Sequence, residues 1–294
     1  MLHGGEGMKK VGILPNLEKD KDFAVTNRLL QYLKLKECQP CLSMKAAKLA
    51  GLEEYGCLEE ELYRDSDFLI SLGGDGTLLG VGRKSAPYGT PILGINLGTL
   101  GFLTAEEKNH AEYAIDKVLA GDYKMEKRMM LQATIATDME RIEGILALND
   151  ICITRGLLYK ILEFNIYVNE EYVDTLRADG VIICTPTGST AYNLSAGGPI
   201  VEPTASMIVL TPICSHALNT SSIVLPAEDE IVIEIGEGRN GREEEVFVTF
   251  DGADVVELRT GDKVTITKSQ HETKLMKLSK VSFLEILRRK MKGN

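Results

Sequence analysis

Residues 73–77 read Gly-Gly-Asp-Gly-Thr and follow directly on the apolar run Phe68-Leu69-Ile70-Ser71-Leu72. Glycine gives up backbone entropy on folding, so a carboxylate set among glycines implies unusual dihedrals or the close approach of another group. Backbone N–H groups in such a turn, and at the start of a helix from Thr77, converge well on a phosphate. Asp75 does not help anion binding by itself. It makes chemical sense as acceptor of the proton from an attacking hydroxyl, as a partner of Mg²⁺, or as a helix cap. Neither the Walker A pattern nor G-x-G-x-x-G is present.

Further polar clusters follow. Asn149-Asp150, at the edge of a buried strand, suits vicinal hydroxyls such as those of a ribose, and suits a plain Asx turn equally well. Between residues 178 and 199, Asp179-Gly180 leads a buried strand; Thr185, Thr187, Ser189, Thr190, Tyr192, Asn193 and Ser195 come after it, interleaved with glycines. That density of hydroxyls and amides reads as a polar ligand clamp with one aromatic ring able to stack on a base. Phe250-Asp251-Gly252 is a common hairpin turn. Other chemistries lack their residues. The 4 histidines have no metal-ligand spacing, and Ser189 lies in T-G-S-T rather than G-x-S-x-G. Cys38 and Cys41 form a C-x2-C pair with no second pair to complete a zinc site, and Cys152, Cys184 and Cys214 sit among apolar or β-branched residues, as buried thiols do. The residues together describe phosphoryl transfer to a hydroxyl of a nucleotide-like ligand.

The elements that must position these groups alternate at first. Residues 9–16 read as a strand, 22–34 as a helix, 43–55 as a helix capped by Ser43, and 53–67 as a solvated acidic face. A strand at 67–74, a helix from Thr77, a strand at 90–98 and a helix over 106–120 with Tyr113, Ala114, Val118 and Leu119 inward complete the pattern. Such alternation predicts a mostly parallel, Rossmann-like sheet covered by helices. Beyond residue 124 the grammar changes to short Val-, Ile- and Thr-rich runs with local alternation, which predicts a layered all-β domain. The stretch 188–198 is too long and glycine-rich for a simple hairpin turn, and the chain closes with a basic-ended helix. The expected division is an α/β domain over 1–124, a β-rich domain over 125–270, and a tail and helix over 271–294 packing back on the first domain.

Size and charge bound the function. At 294 residues the chain is long enough for two cores. Net charge is −10, which argues against nucleic acid or an anionic membrane as main partner while leaving room for a local phosphate pocket. No apolar run approaches the roughly 18 residues of a membrane span, and the start lacks the apolar stretch of a signal peptide, so the cytoplasm is the expected compartment.

Taken in order, Gly73–Thr77, Asn149-Asp150, the segment Thr185-Pro186-Thr187-Gly188-Ser189-Thr190-Ala191-Tyr192 and Asp251-Gly252 resemble the bacterial NAD kinase family over nearly the whole chain from Lys9. Lipid kinases share Gly73–Thr77, whereas the segment 185–192 downstream of Asp179-Gly180 is far more specific. The resemblance implies an α/β domain and a layered β domain with NAD in the cleft, and subunits paired as homodimers or homotetramers. It implies transfer of the γ-phosphoryl of ATP, with Mg²⁺ or another divalent cation, to the 2′-hydroxyl of the adenosine ribose of NAD, giving NADP. Carried over by motif, Asp75 activates that hydroxyl, and Gly73, Gly74, Gly76 and Thr77 hold the donor phosphates. Asp75 and Gly76 also belong to the NAD-binding set. Asn149 and Asp150 grip the nicotinamide ribose; Asp179 and Ala191 fall at the nicotinamide end; Thr190, Tyr192 and Ser195 hold the adenosine half. Leu97–Phe102 matches the segment after the second cleft strand, with Phe102 beside the adenine pocket. This chain departs from the family pattern in Asp150 where Glu is usual, in Ala105-Glu106 where an acid usually comes first, and in Ser221-Ser222 where Arg-Pro is frequent.

Overall fold

The structure is a computed structural model, and it describes residues 8–98, 101–104, 106–137, 139–156, 162–216, 221–237, 245–278 and 281–292. Thr99 and Leu100 of the 97–102 segment, and Ala105, lie outside the described residues. The chain divides into two compact units: one holds residues up to Lys127 and from Thr273 onward, the other Arg128–Glu272.

In the first unit, strands β1 (Lys10–Pro15), β2 (Gln39–Ser43), β3 (Gly56–Cys57), β4 (Phe68–Gly73), β5 (Ile92–Asn96) and β6 (Glu106–Glu107) alternate with helices α1 (Ala24–Leu35), α2 (Met44–Ala50), α3 (Glu59–Asp65), α4 (Asp75–Ser85) and α5 (Ala111–Leu119). The strands pair in parallel in the order β5-β4-β1-β2-β3, with Ile13 opposite Ile70 and Ile70 opposite Leu93. Every residue of β4 and β5 is buried, which is why both read as apolar runs: helices cover a parallel sheet on both faces. Val11, Ile13, Ile70, Leu72, Leu93 and Ile95 pack against Leu29, Leu30 and Leu33 of α1 and Ala111, Ala114, Ile115 and Val118 of α5. The order of strands reverses direction between β1 and β4, so their carboxyl ends flank the crevice where open α/β sheets take ligands.

Several local expectations differ from the structure; Cys214, read with the buried thiols, is exposed, and the helix expected over 106–120 runs only from Ala111 to Leu119. The helix from Ser43, whose hydroxyl accepts from Ala46 N, stops at Ala50 because Gly51 turns left-handed at φ +66. The acidic stretch hides a helix, α3, because Leu62 and Tyr63 supply it with a buried side. Tyr113 is 60% exposed rather than inward: the buried stripe of α5 is Ala111, Ala114, Ile115 and Val118, and Tyr113 lies off it.

The second unit is all-β in its sheets. It is built from β7 (Lys124–Ala136, entering from the first unit), β8 (Arg141–Ala147), β9 (Asp150–Arg155), β10 (Leu162–Val168), β11 (Glu171–Ala178), β12 (Gly180–Cys184), β13 (Met207–Ile213), β14 (Ile223–Pro226), β15 (Ile231–Ile235), β16 (Val246–Phe250), β17 (Asp254–Leu258) and β18 (Lys263–Lys277, leaving for the first). One sheet runs β11-β10-β15-β18, the other β14-β13-β12-β9-β16-β17, with antiparallel neighbours. Alternate residues of the second sheet divide cleanly. Ile151, Ile153, Val181, Ile183, Val248 and Phe250 face the inter-sheet core, whereas Cys152, Ile182, Cys184 and Val209 face Ala196 and Val201 of an outer turn. That turn carries the short helix α6 (Tyr192–Ser195). The chain ends in helix α7 (Phe283–Met291), part of the first unit and capped by Ser282 accepting from Glu285 N. Among the described residues no helix is long and apolar enough to cross a membrane.

Candidate active site

Strand β4 delivers Gly73 to the sheet's carboxyl edge, where Gly74 is extended and Asp75 opens α4 without a side-chain cap. Asp75 reaches across to the loop after β5. Its Oδ2 accepts from Phe102 N (2.7 Å), and its Oδ1 accepts from Leu103 N, Thr104 N and the Thr104 hydroxyl, each at 3.1 Å. The approach is so close that a Cβ on Gly101 would lie 1.9 Å from Oδ1; only glycine leaves room. Behind this clamp, Asn96 donates to the Thr104 hydroxyl (3.1 Å) and accepts from Gly98 N (2.7 Å). The Phe102 ring rests against Phe283 of α7 (centroids 6.0 Å apart), under the Lys290 ammonium at 4.7 Å, and Lys277 donates to Leu103 O at 3.0 Å.

Thr77 does not stand open either. Its hydroxyl accepts from the Asn16 amide at 2.9 Å, and it fills the place a Cβ on Gly73 would take, 2.2 Å from that position. Gly76 is exposed, and a Cβ built on it would meet nothing within 4 Å among the described residues. Asn16 ends the β1 strand's register with Asn16 N donating to Leu72 O (2.7 Å), so the β1 loop and the glycine turn are tied together. Asn16 carried no signal in the sequence beyond a turn residue after a strand.

The second unit repeats the device. Asp251, at φ 51 in the β16–β17 turn, accepts from three successive backbone groups: Leu148 N (2.9 Å), Asn149 N (2.7 Å) and Asp150 N (3.1 Å). The hairpin turn that looked commonplace in the sequence therefore fixes the Asn149-Asp150 pair. The Asn149 amide is partly exposed and has no partner among the described residues. Asp150 is 6% exposed, its carboxyl likewise without a hydrogen bond among the described residues; burial, then the charge of Asp251, pushes it up to about 7. Asp179 is held by Arg155 in an ion pair at 3.0 Å, a partner the sequence did not single out.

The hydroxyl-rich segment separates into two sets. Thr185 donates to Leu148 O (2.6 Å) and accepts from Gly188 N (3.1 Å); Thr187 accepts from buried Arg128 (3.2 Å); Ser189 bonds Pro186 O and Val201 N; Asn193 bridges Ser189 O, Pro199 O and Thr211. These four are buried, and their side chains are hydrogen-bonded within the unit. Thr190, Ala191, Tyr192 and Ser195 remain at least partly exposed, with Tyr192 at 45%. Partial burial raises the Tyr192 hydroxyl above the ordinary tyrosine range, and the neighbouring Cys152, Cys214, Asp150 and Asp179 add to it, so the structure brings Tyr192, Asp150 and Asp179 near one another. No group of three or more His, Cys, Asp or Glu suited to a metal ion occurs among the described residues.

Comparison with known proteins agrees with both units. Residues 11–123 match the model of the ATP-NAD kinase N-terminal domain and residues 148–278 that of the ATP-NAD kinase C-terminal domain. The chain is 46% identical over 284 residues to an NAD kinase of Thermoanaerobacter sp. (strain X514), covering 97% of this chain and 99% of that one. It is 41% identical to an NAD kinase of Moorella thermoacetica, covering 97% and 90%. Among solved structures, yeast NADH kinase complexed with NADH superposes with a TM-score of 0.88 at 25% identity, covering 98% of this chain and 88% of that one. An NAD kinase from Archaeoglobus fulgidus in complex with ATP gives 0.76 at 26% identity, covering 97% and 99%. With the glycine–aspartate turn, the Asp251-held Asn149-Asp150 pair and both domain matches in one chain, the protein belongs to the ATP-NAD kinase family.

Proposed function

We propose that the chain transfers the γ-phosphoryl group of ATP to the 2′-hydroxyl of the adenosine ribose of NAD, with Asp75 as the proton acceptor. The observation that carries this role is the unequal loading of the Asp75 carboxylate. Oδ1 takes three donors and Oδ2 one, so Oδ2 keeps an acceptor position among the described residues for an incoming hydroxyl. In the step, the hydroxyl proton passes to Oδ2 and the 2′-oxygen bonds to the γ-phosphorus. The bond from that phosphorus to the bridging oxygen breaks, and its electron pair leaves with ADP. Most of the catalysis in such a reaction is positioning and charge stabilisation.

The N–H groups of Gly74, Gly76 and Thr77, at the positive end of α4, are assigned to the donor phosphates, with Gly73 shaping the turn. The unpartnered Asn149 amide and Asp150 are assigned to the nicotinamide ribose, Asp179 and Ala191 to the nicotinamide end, and Thr190, Tyr192, Ser195 and Phe102 to the adenosine half. The described residues do not form a cage for a divalent cation: the carboxylate of the glycine turn, Asp75, is already loaded with backbone donors. A Mg²⁺ ion used with ATP would be held by phosphates and water, as this ion commonly is, and no step here is routed through it. A cytoplasmic homodimer or homotetramer is the assembly that goes with this reading. Incubation of the purified chain with NAD, ATP and Mg²⁺ tests it: NADP is the expected product, and its absence at enzyme concentrations sufficient for a single turnover refutes the reading.

A further inference from the structure

The loop between β1 and α1 is pinned more firmly than an ordinary surface connection. The Asn16 carboxamide oxygen accepts from Glu18 N and Lys19 N, both at 3.0 Å, while its amide donates to Thr77 in α4. One residue beyond Lys19, the Asp20 side chain is buried and caps α1, accepting from Val25 N and Thr26 N at 2.9 Å and from the Thr26 hydroxyl at 2.6 Å. Asp20 N returns to Asn16 O at 3.0 Å. Lys19 thus has a fixed backbone between two anchors, and its ammonium lies over the glycine turn: a Cβ on Gly74 would meet Lys19 Nζ at 3.0 Å. That ammonium has no carboxylate partner among the described residues, in a chain whose net charge is −10.

We infer that Lys19 is a catalytic residue of the phosphoryl transfer, its ammonium meeting the donor's transferred phosphate above Gly74; this rests on the function proposed above. A phosphoryl group crossing to a sugar oxygen carries negative charge on its equatorial oxygens, and the glycine turn answers it only with backbone dipoles. Lys19 places a full positive charge over that turn. A lysine serves because its compact head donates in several directions without demanding one planar fork. The sequence gives no sign of it: Lys19 stands among charges of both signs, Glu18-Lys19-Asp20-Lys21-Asp22.

The test compares the wild-type chain with Lys19→Met and Lys19→Arg, by steady-state kinetics with NAD and ATP and by titration calorimetry with ATP alone. Lys19→Met is expected to lower kcat/KM for ATP about 10²-fold, the usual loss for one preorganised donor at a developing anion. Its KM for NAD and its melting temperature should stay near wild type, because the side chain is exposed. Lys19→Arg should recover part of the loss by keeping the charge. Lys19→Met with kcat/KM for ATP within about threefold of wild type, far below the loss of a preorganised donor, overturns the inference, as does an equal rise in both substrates' KM. Failure of the wild-type chain to make NADP defeats the proposed function instead; the calorimetric arm then still decides whether Lys19 holds ATP phosphates.

Discussion

Asp150→Asn isolates the buried carboxyl. In the folded chain this group titrates near 7 against an ordinary 3.8, first because it is buried and second because Asp251 is charged beside it. The sign follows from proton linkage. Between those two values the folded state holds a proton that the unfolded chain has released, so stability is greatest below the unfolded value and falls as pH rises through the folded one. A gap of about three pH units at about 1.4 kcal/mol each amounts to roughly 4 kcal/mol of destabilisation fully expressed above pH 8 or so, and about 1.6 kcal/mol of it is already present near pH 5. Asparagine has the same shape and cannot ionise. Its own hydrogen-bonding cost is independent of pH and cancels when two pH values are compared. Urea denaturation of ligand-free wild type and Asp150→Asn near pH 5 and near pH 8 is the assay. The variant's stability relative to wild type should improve by about 2–3 kcal/mol between the two conditions. A relative stability that is the same at both, within about 0.5 kcal/mol of the linkage expectation for an unshifted acid, refutes the account of Asp150 as a buried acid that resists ionisation.

Other expectations follow from the same geometry. Asp75→Asn should lower kcat by at least ~10², since the amide puts a donor against Phe102 N or Leu103 N and removes the proton acceptor; a variant keeping more than about a tenth of wild-type kcat excludes the base role. Gly101→Ala drives a Cβ to 1.9 Å from Asp75 Oδ1, so kcat should fall about 10²-fold through misplacement while circular dichroism shows an intact fold; unchanged kinetics would mean the loop is not part of the site. Tyr192→Ala should cost ~1–3 kcal/mol in NAD affinity by calorimetry, with Tyr192→Phe keeping most of it. Because the ring is 45% exposed, the melting temperature of ligand-free Tyr192→Ala should barely move, and a large drop would assign the ring to packing.

What could be read in the sequence was whatever is written in neighbouring residues. An apolar run ending in glycines announces a buried strand and a turn, and the change from alternating helices to Val- and Ile-rich runs announces the second unit. Hydrogen bonds across distance left no such trace. Asp251 grips residues about a hundred positions upstream, a contact its own neighbours in the chain do not announce. The hydroxyls of Thr185, Thr187 and Ser189 look the same in sequence as that of Thr190; only the folded turn decides which are used up inside it. Lys19 was hidden among neighbours of both signs, and α3 was obscured because its acids outnumber the two side chains it buries. The Asn-for-chemistry reading of Asn149 was open to an Asx-turn alternative, and the structure shows the backbone of that pair held from outside by Asp251 rather than by its own side chain.

The Asp75 clamp has a consequence for how such a chain can drift over generations. The group assigned to the chemistry is also the rivet of the loop at 102–104, and the rivet closes only over a glycine at 101. A lineage that loses activity by changing Asp75 also loosens that loop, and a lineage that enlarges Gly101 displaces the carboxylate it still carries. Positions 75 and 101 are therefore coupled in space, and a change at either disturbs the seat of the carboxylate and the loop it fastens.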